Sequence, residues 1–424
     1  MNRLIATLAT AGSLLASAVA AQDLAIVGGT VHSMGPDGVI EDGTVLIEDG
    51  RIAAVGADVT VPAGVETIAA DGRIVTPGLV AALTNLGVVE VSAVRGTRDG
   101  TVEDAPFNAA FDVSYGINPD ASAIPVTRIE GVTRALVAPG RGDSIFGGLG
   151  AAIHLGNGMD IVSHDGLFMM TWLGEAGAGE AGGARGGAMV TLVNALKDAR
   201  RYAAMDDPSD FKGRIVGALD AEALGPVLTG EVKLAVAADR ASDLLLLVRL
   251  KREMPDLDLV ALGAAEGWRV AGELAAAGIP VLVNPFENLP GSFASLAATQ
   301  ANAARLAAAG VTVAIGAGGS PAGQPRLIPQ LAGNAVANGM EHADALAAIT
   351  IGPARVFGID DVAGSLETGK AGDVVIWDGD PLEVMTRPAA VVINGERIDM
   401  VSRQTLLRDR YMDLDSPLPP QYRK

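Results

Sequence analysis

The 424-residue sequence contains no cysteine, and aromatic residues make up only 4% of it. Without cysteine the protein has no disulfide, no thiolate nucleophile and no cysteine-based metal site. Basic residues are also few, because 31 Lys and Arg stand against 50 Asp and Glu and leave a net charge of −19. That charge repels phosphate backbones and anionic lipid head groups, so nucleic acid is not expected as a partner.

Histidine is scarce as well. The chain has four: His32, His154, His164 and His342. None has another histidine two or four residues away, and none ends a predicted strand, so we expect structural or surface roles. The pair His164-Asp165 is the one adjacent combination with a conceivable acid–base use.

The first residues have the pattern of a secretory signal peptide at 1–21. A short basic start is followed by an apolar stretch at 4–15 and by small residues at 18–21. A membrane anchor is the alternative, but polar residues interrupt the apolar stretch. We predict export, to a bacterial periplasm, and no membrane association after the leader is removed.

Both ends of the mature chain have strand character. β-branched runs separated by Asp-Gly or Asn-Gly turns occur at 25–31, 43–56, 373–380 and 390–395. This pattern predicts that the two ends combine in one small β domain.

The middle of the chain alternates between strands and helices. Predicted strands lie at 232–236, 257–262, 279–283 and 311–316, with helices at 240–254, 268–277 and 297–309. More than about 250 residues of such alternation predict a (β/α)8 barrel. A doubly wound sheet is the alternative, although its G-x-G-x-x-G fingerprint is missing. The glycine-rich tract 174–187 is predicted to be a mobile loop or a lid over the barrel mouth.

Three stretches carry a family resemblance: "DGRIVTPGLV" at 71–80, "TIGPARVFGI" at 350–359 and "GSLETGKAGDVVIWDGDPL" at 364–382. On these the chain resembles the amidohydrolase superfamily, in its imidazolonepropionase-like branch. The resemblance implies an α/β fold with a TIM barrel at 76–360 and a composite β-sandwich built from 22–75 and 361–424.

The resemblance also implies metal-assisted hydrolysis of non-peptide C–N bonds. Such enzymes hold zinc or another divalent cation at the barrel mouth with a His-x-His pair, two further histidines and an aspartate. The matching positions of this chain are Leu83, Asn85, Ala237, Leu262 and Gly318. Because none is a histidine or a carboxylate, we predict that the metal site is degenerate and that no cofactor is bound.

Other polar residues are candidates at the barrel mouth. Asp239, Asp243 and Glu266 follow predicted strands and could converge as paired carboxylates. The interpretation that we favour is that Asp243 lies in a helix first turn and that Asp239 caps this helix. Ser144 and Ser320 are nucleophile candidates by position alone, because no G-x-S-x-G motif is present.

Three functions are compatible with these observations. The first is a non-catalytic relative that binds a small-molecule ligand or a paralogous amidohydrolase subunit. The second is a hydrolase of cyclic amides or related C–N bonds with a displaced or absent metal. The third is a structural role in the cell envelope.

Overall fold

The computed structural model describes residues 23–316 and 324–412. The predicted leader at 1–21 and two candidate site residues, Gly318 and Ser320, lie outside the described residues. Within the described ranges, no helix combines the length and the apolar character needed to cross a bilayer.

Five strands open the described chain, and all belong to a first sheet. They are β1 (Leu24–His32), β2 (Val39–Glu48), β3 (Arg51–Gly56), β4 (Glu66–Ala69) and β5 (Ile74–Pro77). The β2–β3 hairpin turns at Asp49 and Gly50, whose φ angles of 48° and 75° are both left-handed. Asp-Gly is favoured at such a turn because it tolerates this backbone.

Eight strands form a second sheet and follow one another in chain order. They are β6 (Leu79–Thr84), β7 (Val132–Val137), β8 (Phe146–His154), β9 (Val162–Trp172), β10 (Lys233–Ala238), β11 (Leu259–Gly263), β12 (Val281–Val283) and β13 (Val313–Ile315). Residues 348–349 bridge its two edges, since Ile315 N donates to Ala348 O at 2.8 Å and Val80 N donates to Ile349 O at 2.9 Å. The predicted barrel is confirmed, and the doubly wound alternative is wrong.

The barrel departs from eight parallel strands at β8. This strand pairs antiparallel with both β7 and β9, so 132–172 form a meander with no intervening helix. Its glycines admit bulky neighbours: a Cβ at Gly150 would lie 2.2 Å from the Phe168 ring, and one at Gly147 would lie 2.6 Å from the Trp172 ring. Close packing of this kind is a common reason for glycine inside a strand.

Twelve α-helices are found in the described ranges. They are α1 (Ala123–Arg128), α2 (Gly174–Glu180), α3 (Arg185–Ala203), α4 (Ala218–Ala223), α5 (Gly225–Leu228), α6 (Ala241–Glu253), α7 (Ala271–Ala276), α8 (Asn302–Ala308), α9 (Ile328–Ala337), α10 (His342–Ala347), α11 (Ile351–Phe357) and α12 (Arg403–Met412). The glycine-rich tract 174–187 is mostly helical, so its prediction as a loop is wrong. A Cβ at Gly177 would lie 2.2 Å from Trp172 O, and glycine lets α2 pack directly on the end of β9.

The first sheet is completed from the other end of the chain. Its strands there are β14 (Val374–Trp377), β15 (Pro388–Ile393) and β16 (Glu396–Arg397). β14 pairs antiparallel with β5, with Val375 opposite Thr76. The two ends therefore share one sheet with its own apolar core, as predicted.

Apolar side chains fill the barrel interior. Phe357 of α11 packs on Phe168 of β9 with ring centroids 4.9 Å apart. Other large members of this cluster include Val80, Leu136, Met170, Val260, Leu262 and Leu282. The interior is thus a packed core, as in other barrels of this size.

Candidate functional site

The mouth of the barrel lies where its parallel strands end, and this is where the family resemblance implies metal ligands. Leu83 lies at the end of β6, and Asn85 follows it. Ala237 of β10 is directly opposite Leu262 of β11 in the sheet register. Leu83, Ala237 and Leu262 all join the apolar cluster of the barrel interior. Their side chains have no lone pairs for a cation, so the described positions do not fit the metal centre that the fold implies.

Leu83 has an unusual backbone. Its φ of 53° is left-handed, and the register between β6 and β7 shifts between Ala81 and Thr84. Asn, Asp and His are several-fold enriched in this conformation, whereas a bulky residue is an outlier. Position 83 therefore has a backbone that suits the imidazole implied by the resemblance, but it carries a leucine.

No group of three or more His, Cys, Asp or Glu side chains suitable for a metal ion is found in residues 23–316 and 324–412. The four histidines all lie in these ranges, and none belongs to such a group. His154 Nε2 lies 2.9 Å from Asp160 O, and His342 Nε2 lies 2.8 Å from Asp380 Oδ2. Burial, aided by His342, lowers the pKa of His32 in the β domain.

The remaining acid–base and nucleophile candidates also have local partners. His164 lies near the start of β9, far along the strand from the mouth, and its Nδ1 is 3.3 Å from Ser163 Oγ. Ser144 Oγ accepts a hydrogen bond from Phe146 N at 3.2 Å. These contacts stabilise local structure and bring no acid, base and nucleophile together.

Two of the predicted carboxylates stabilise the fold at the mouth. Glu266 is 4% exposed and accepts hydrogen bonds from Ala241 N at 3.1 Å and from Ala297 N at 3.0 Å. Asp243 lies in the first turn of α6, as predicted, and its Oδ2 is 2.6 Å from Arg185 Nη1. The prediction that Asp239 caps α6 is wrong, because Glu266 binds the free N–H of Ala241 there.

Among the described residues, the side chain of Asp239 has one weak hydrogen bond, from Ala265 N at 3.5 Å. Burial raises the pKa of its carboxyl group, and the nearby Asp243 adds to the effect. Glu287 lies close enough to interact with it electrostatically: burial, followed by the charge of Asp239, raises the pKa of Glu287 to about 7. Asp239 and Glu287 are therefore two carboxyl groups that interact electrostatically at this side of the mouth.

Glu287 is not among the residues that the sequence predicts at the mouth. It lies four residues beyond β12, in a turn where Asn284 Oδ1 accepts from Phe286 N and Asn284 O accepts from Glu287 N. The Asn-Pro turn signal at 284–285 could have suggested that the chain folds back over the mouth.

A cavity of about 850 Å³ opens beside the ends of β6, β7 and β9. Its apolar lining includes Leu83, Met170 and Trp172, and Asn85 also lines it. The charged lining consists of Arg95, Arg98, Arg141 and Glu103. Ligand sites in barrels of this type lie at this end of the strands.

Comparison with known proteins bears on this site. The family model described as "Amidohydrolase family" matches residues 257–401, from the start of β11 through β16. The resemblance of this chain to the amidohydrolase superfamily is confirmed by this match. Its resemblance to the imidazolonepropionase-like branch is confirmed as well.

Two curated relatives have about one quarter of their aligned residues in common with this chain. An imidazolonepropionase from Mesorhizobium japonicum is 26% identical over 84% of this chain and 89% of its own length. Amidohydrolase tasK from Hapsidospora irregularis is 25% identical over 83% of this chain, which spans only 39% of that longer protein.

Among solved structures, an amidohydrolase from Thermotoga maritima superposes with a TM-score of 0.79. The superposition covers 89% of this chain and 99% of the other, at 24% identity. This similarity supports the shared barrel and β-domain fold.

Proposed function

We propose that this protein is an exported, non-catalytic member of the amidohydrolase superfamily that binds a small organic molecule at the barrel mouth. The proposal is supported by the apolar side chains of Leu83, Ala237 and Leu262, at positions where the family resemblance implies imidazoles, beside a cavity of about 850 Å³. Export is supported by the signal-peptide pattern of the first 21 residues.

The direct test is metal analysis of the purified mature protein, combined with turnover assays on cyclic amides, dipeptides and lactones. We expect substoichiometric zinc and no hydrolysis above the uncatalysed rate. Stoichiometric zinc together with turnover would overturn the proposal. A metal-dependent relative that retains its histidines, prepared in the same way, is the positive control.

A matched variant tests the assignment of the ligand positions. Leu83→His combined with Asn85→His restores only two donors, while Ala237 and Leu262 still provide none. Because a zinc site needs at least three protein ligands, we expect no tight zinc binding by isothermal titration calorimetry. Stoichiometric zinc in this double variant would show that the assignment of positions is wrong.

One observation favours a second candidate function, hydrolysis without a metal. Asp239 and Glu287 are both half-buried, the charge of Asp239 acts on Glu287, and the pKa of each carboxyl group is raised, as a general acid and base pair requires. If this function is correct, turnover should persist in excess EDTA and disappear in both Asp239→Asn and Glu287→Gln. Turnover that survives both substitutions would exclude the pair.

A further inference from the structure

The arginine side chains of the cavity contrast with the rest of the molecule. The protein has a net charge of −19, yet three arginines and a single glutamate line this cavity. Arg95 Nη2 is 3.7 Å from Glu103 Oε2, and both side chains are largely exposed. This ion pair neutralises one arginine and leaves Arg98 and Arg141 as the positive charges of the cavity.

These two arginines differ in how they are held. Arg141 Nη1 donates to Ala176 O at 3.2 Å, and in the described part of the chain its guanidinium makes no other hydrogen bond, so its remaining N–H groups can bind a ligand. For Arg98, no side-chain hydrogen bond or ion pair is found within the described ranges. A guanidinium with unused donors beside a cavity is suited to bind a carboxylate in a bidentate manner.

The segment that carries Arg98 is ordered by hydrogen bonds to its own residues and to the barrel. Thr97 Oγ1 donates to Val91 O at 2.9 Å and accepts from Val91 N at 3.1 Å. Gly140 N donates to Gly100 O at 2.7 Å, which ties the segment to the loop of Arg141. The two cationic loops are therefore joined before any ligand binds, and preorganisation of this kind lowers the cost of binding.

Apolar side chains also line the cavity. They belong to Leu83, Val88, Val89, Met170 and Trp172. A ring or an aliphatic chain would contact these side chains, with Trp172 providing the largest flat surface. The lining of the cavity thus combines apolar side chains with arginines.

We propose that the cavity binds an organic carboxylate with an apolar body, its carboxylate against Arg98 and Arg141 and its body against Trp172 and Met170. This inference rests on the proposed ligand-binding function and adds the chemical class of the ligand. Affinity comes from the apolar contacts, and selection for the anion comes from the arginines.

The test compares 4-phenylbutanoate with 4-phenylbutanamide, which differ in charge but not in shape, by isothermal titration calorimetry. We expect the wild-type protein to bind the carboxylate at least about tenfold more tightly than the amide, a preference that falls as salt is added. Arg98→Gln and Arg141→Gln should each remove most of this preference and leave amide binding unchanged. Arg252→Gln, an exposed arginine on α6 away from the cavity, is the matched control and should keep it.

Tryptophan emission gives an independent readout, because the carboxylate should change the fluorescence of wild-type protein and not of Trp172→Phe. Equal affinity for the two probes, no carboxylate binding at millimolar concentration, or equal effects of Arg98→Gln and Arg252→Gln would overturn the inference. Zinc or turnover would instead count against the proposed function, even if carboxylate selectivity were found. The two failures are therefore distinguishable.

Discussion

The two halves of the barrel mouth have opposite chemistry. The first half, at the ends of β6, β7 and β9, surrounds the cavity and carries Arg98 and Arg141. The second half, at the ends of β10, β11 and β12, carries Asp239, Asp243, Glu266 and Glu287. The first half has room for a ligand, whereas most carboxylates of the second half bind other parts of the protein.

The contrast between the two halves shows that residue type alone does not identify a ligand site. Glu266 and Glu287 are both glutamates near the mouth, but Glu266 accepts two backbone hydrogen bonds, whereas Glu287 is half-buried and interacts with another carboxyl group. A carboxylate with N–H partners contributes to stability, while one without them has a raised pKa. The hydrogen-bond partners of each carboxylate therefore determine its role in the protein.

The largest expected effect tests the structural role of Glu266. Glu266→Ala leaves the buried N–H of Ala241 and the N–H of Ala297 without their acceptor. We expect the free energy of unfolding to fall by about 2–4 kcal/mol, because each unsatisfied buried donor is costly. Urea denaturation followed by circular dichroism measures the change.

Glu287→Ala is the matched control, since it removes a glutamate from the same half of the mouth without orphaning a backbone donor that it binds. At pH 8 the free energy of unfolding of Glu287→Ala should not be lower than that of the wild-type protein. Equal losses of stability in the two variants would contradict the distinction between Glu266, which stabilises the fold through backbone hydrogen bonds, and Glu287, which does not.

A smaller effect concerns the pH dependence of stability. The pKa of Glu287 is raised from 4.5 to about 7. Between these values the folded protein keeps a proton that the unfolded chain releases, so this group lowers stability as pH rises through the interval. Glu287→Gln should remove this decrease and add about 1–2 kcal/mol at pH 8, after allowance for screening of a partly exposed group.

Urea denaturation of both proteins at pH 5, 6, 7 and 8 checks this prediction. The difference in unfolding free energy between variant and wild type should grow with pH and level off above about 7. A constant difference over the range would mean that Glu287 titrates as an ordinary glutamate.

Much of the fold follows from local patterns that a sequence displays directly. Strands β10 to β13 and their helices were predicted because apolar periodicity marks each one, and the β domain because Asp49-Gly50 and Asn394-Gly395 mark its hairpins. Strand β8 was missed because its glycines lack strand propensity. Glycine is needed at these positions because a side chain would collide with the rings of Phe168 and Trp172. This constraint comes from tertiary packing and not from local strand preference.

The site was less predictable, because its assignments depend on contacts between distant residues. Asp239 precedes α6 and has the usual position of a cap, but Glu266, 25 residues beyond Ala241, takes that role. Likewise, Arg98 and Arg141 come together only when their two loops pair across Gly100 and Gly140. No spacing in the sequence reports such a contact.

The smallest expected effect lies in the first half, at Leu83. Its φ of 53° costs a leucine about 1–2 kcal/mol, a penalty that asparagine largely avoids. Leu83→Asn should therefore be as stable as Leu83→Ala or more so, by up to about 1 kcal/mol, although asparagine is the more polar residue at a half-buried position.

Leu149 of β8 is the control for that comparison, because it is also half-buried but has no left-handed φ. There the order should reverse, with Leu149→Ala more stable than Leu149→Asn, since burial of an amide without partners is unfavourable. Urea denaturation of the four variants measures both differences. If alanine were the better replacement at both positions, the backbone of Leu83 would not be strained, and the argument that position 83 retains a backbone suited to histidine would fail.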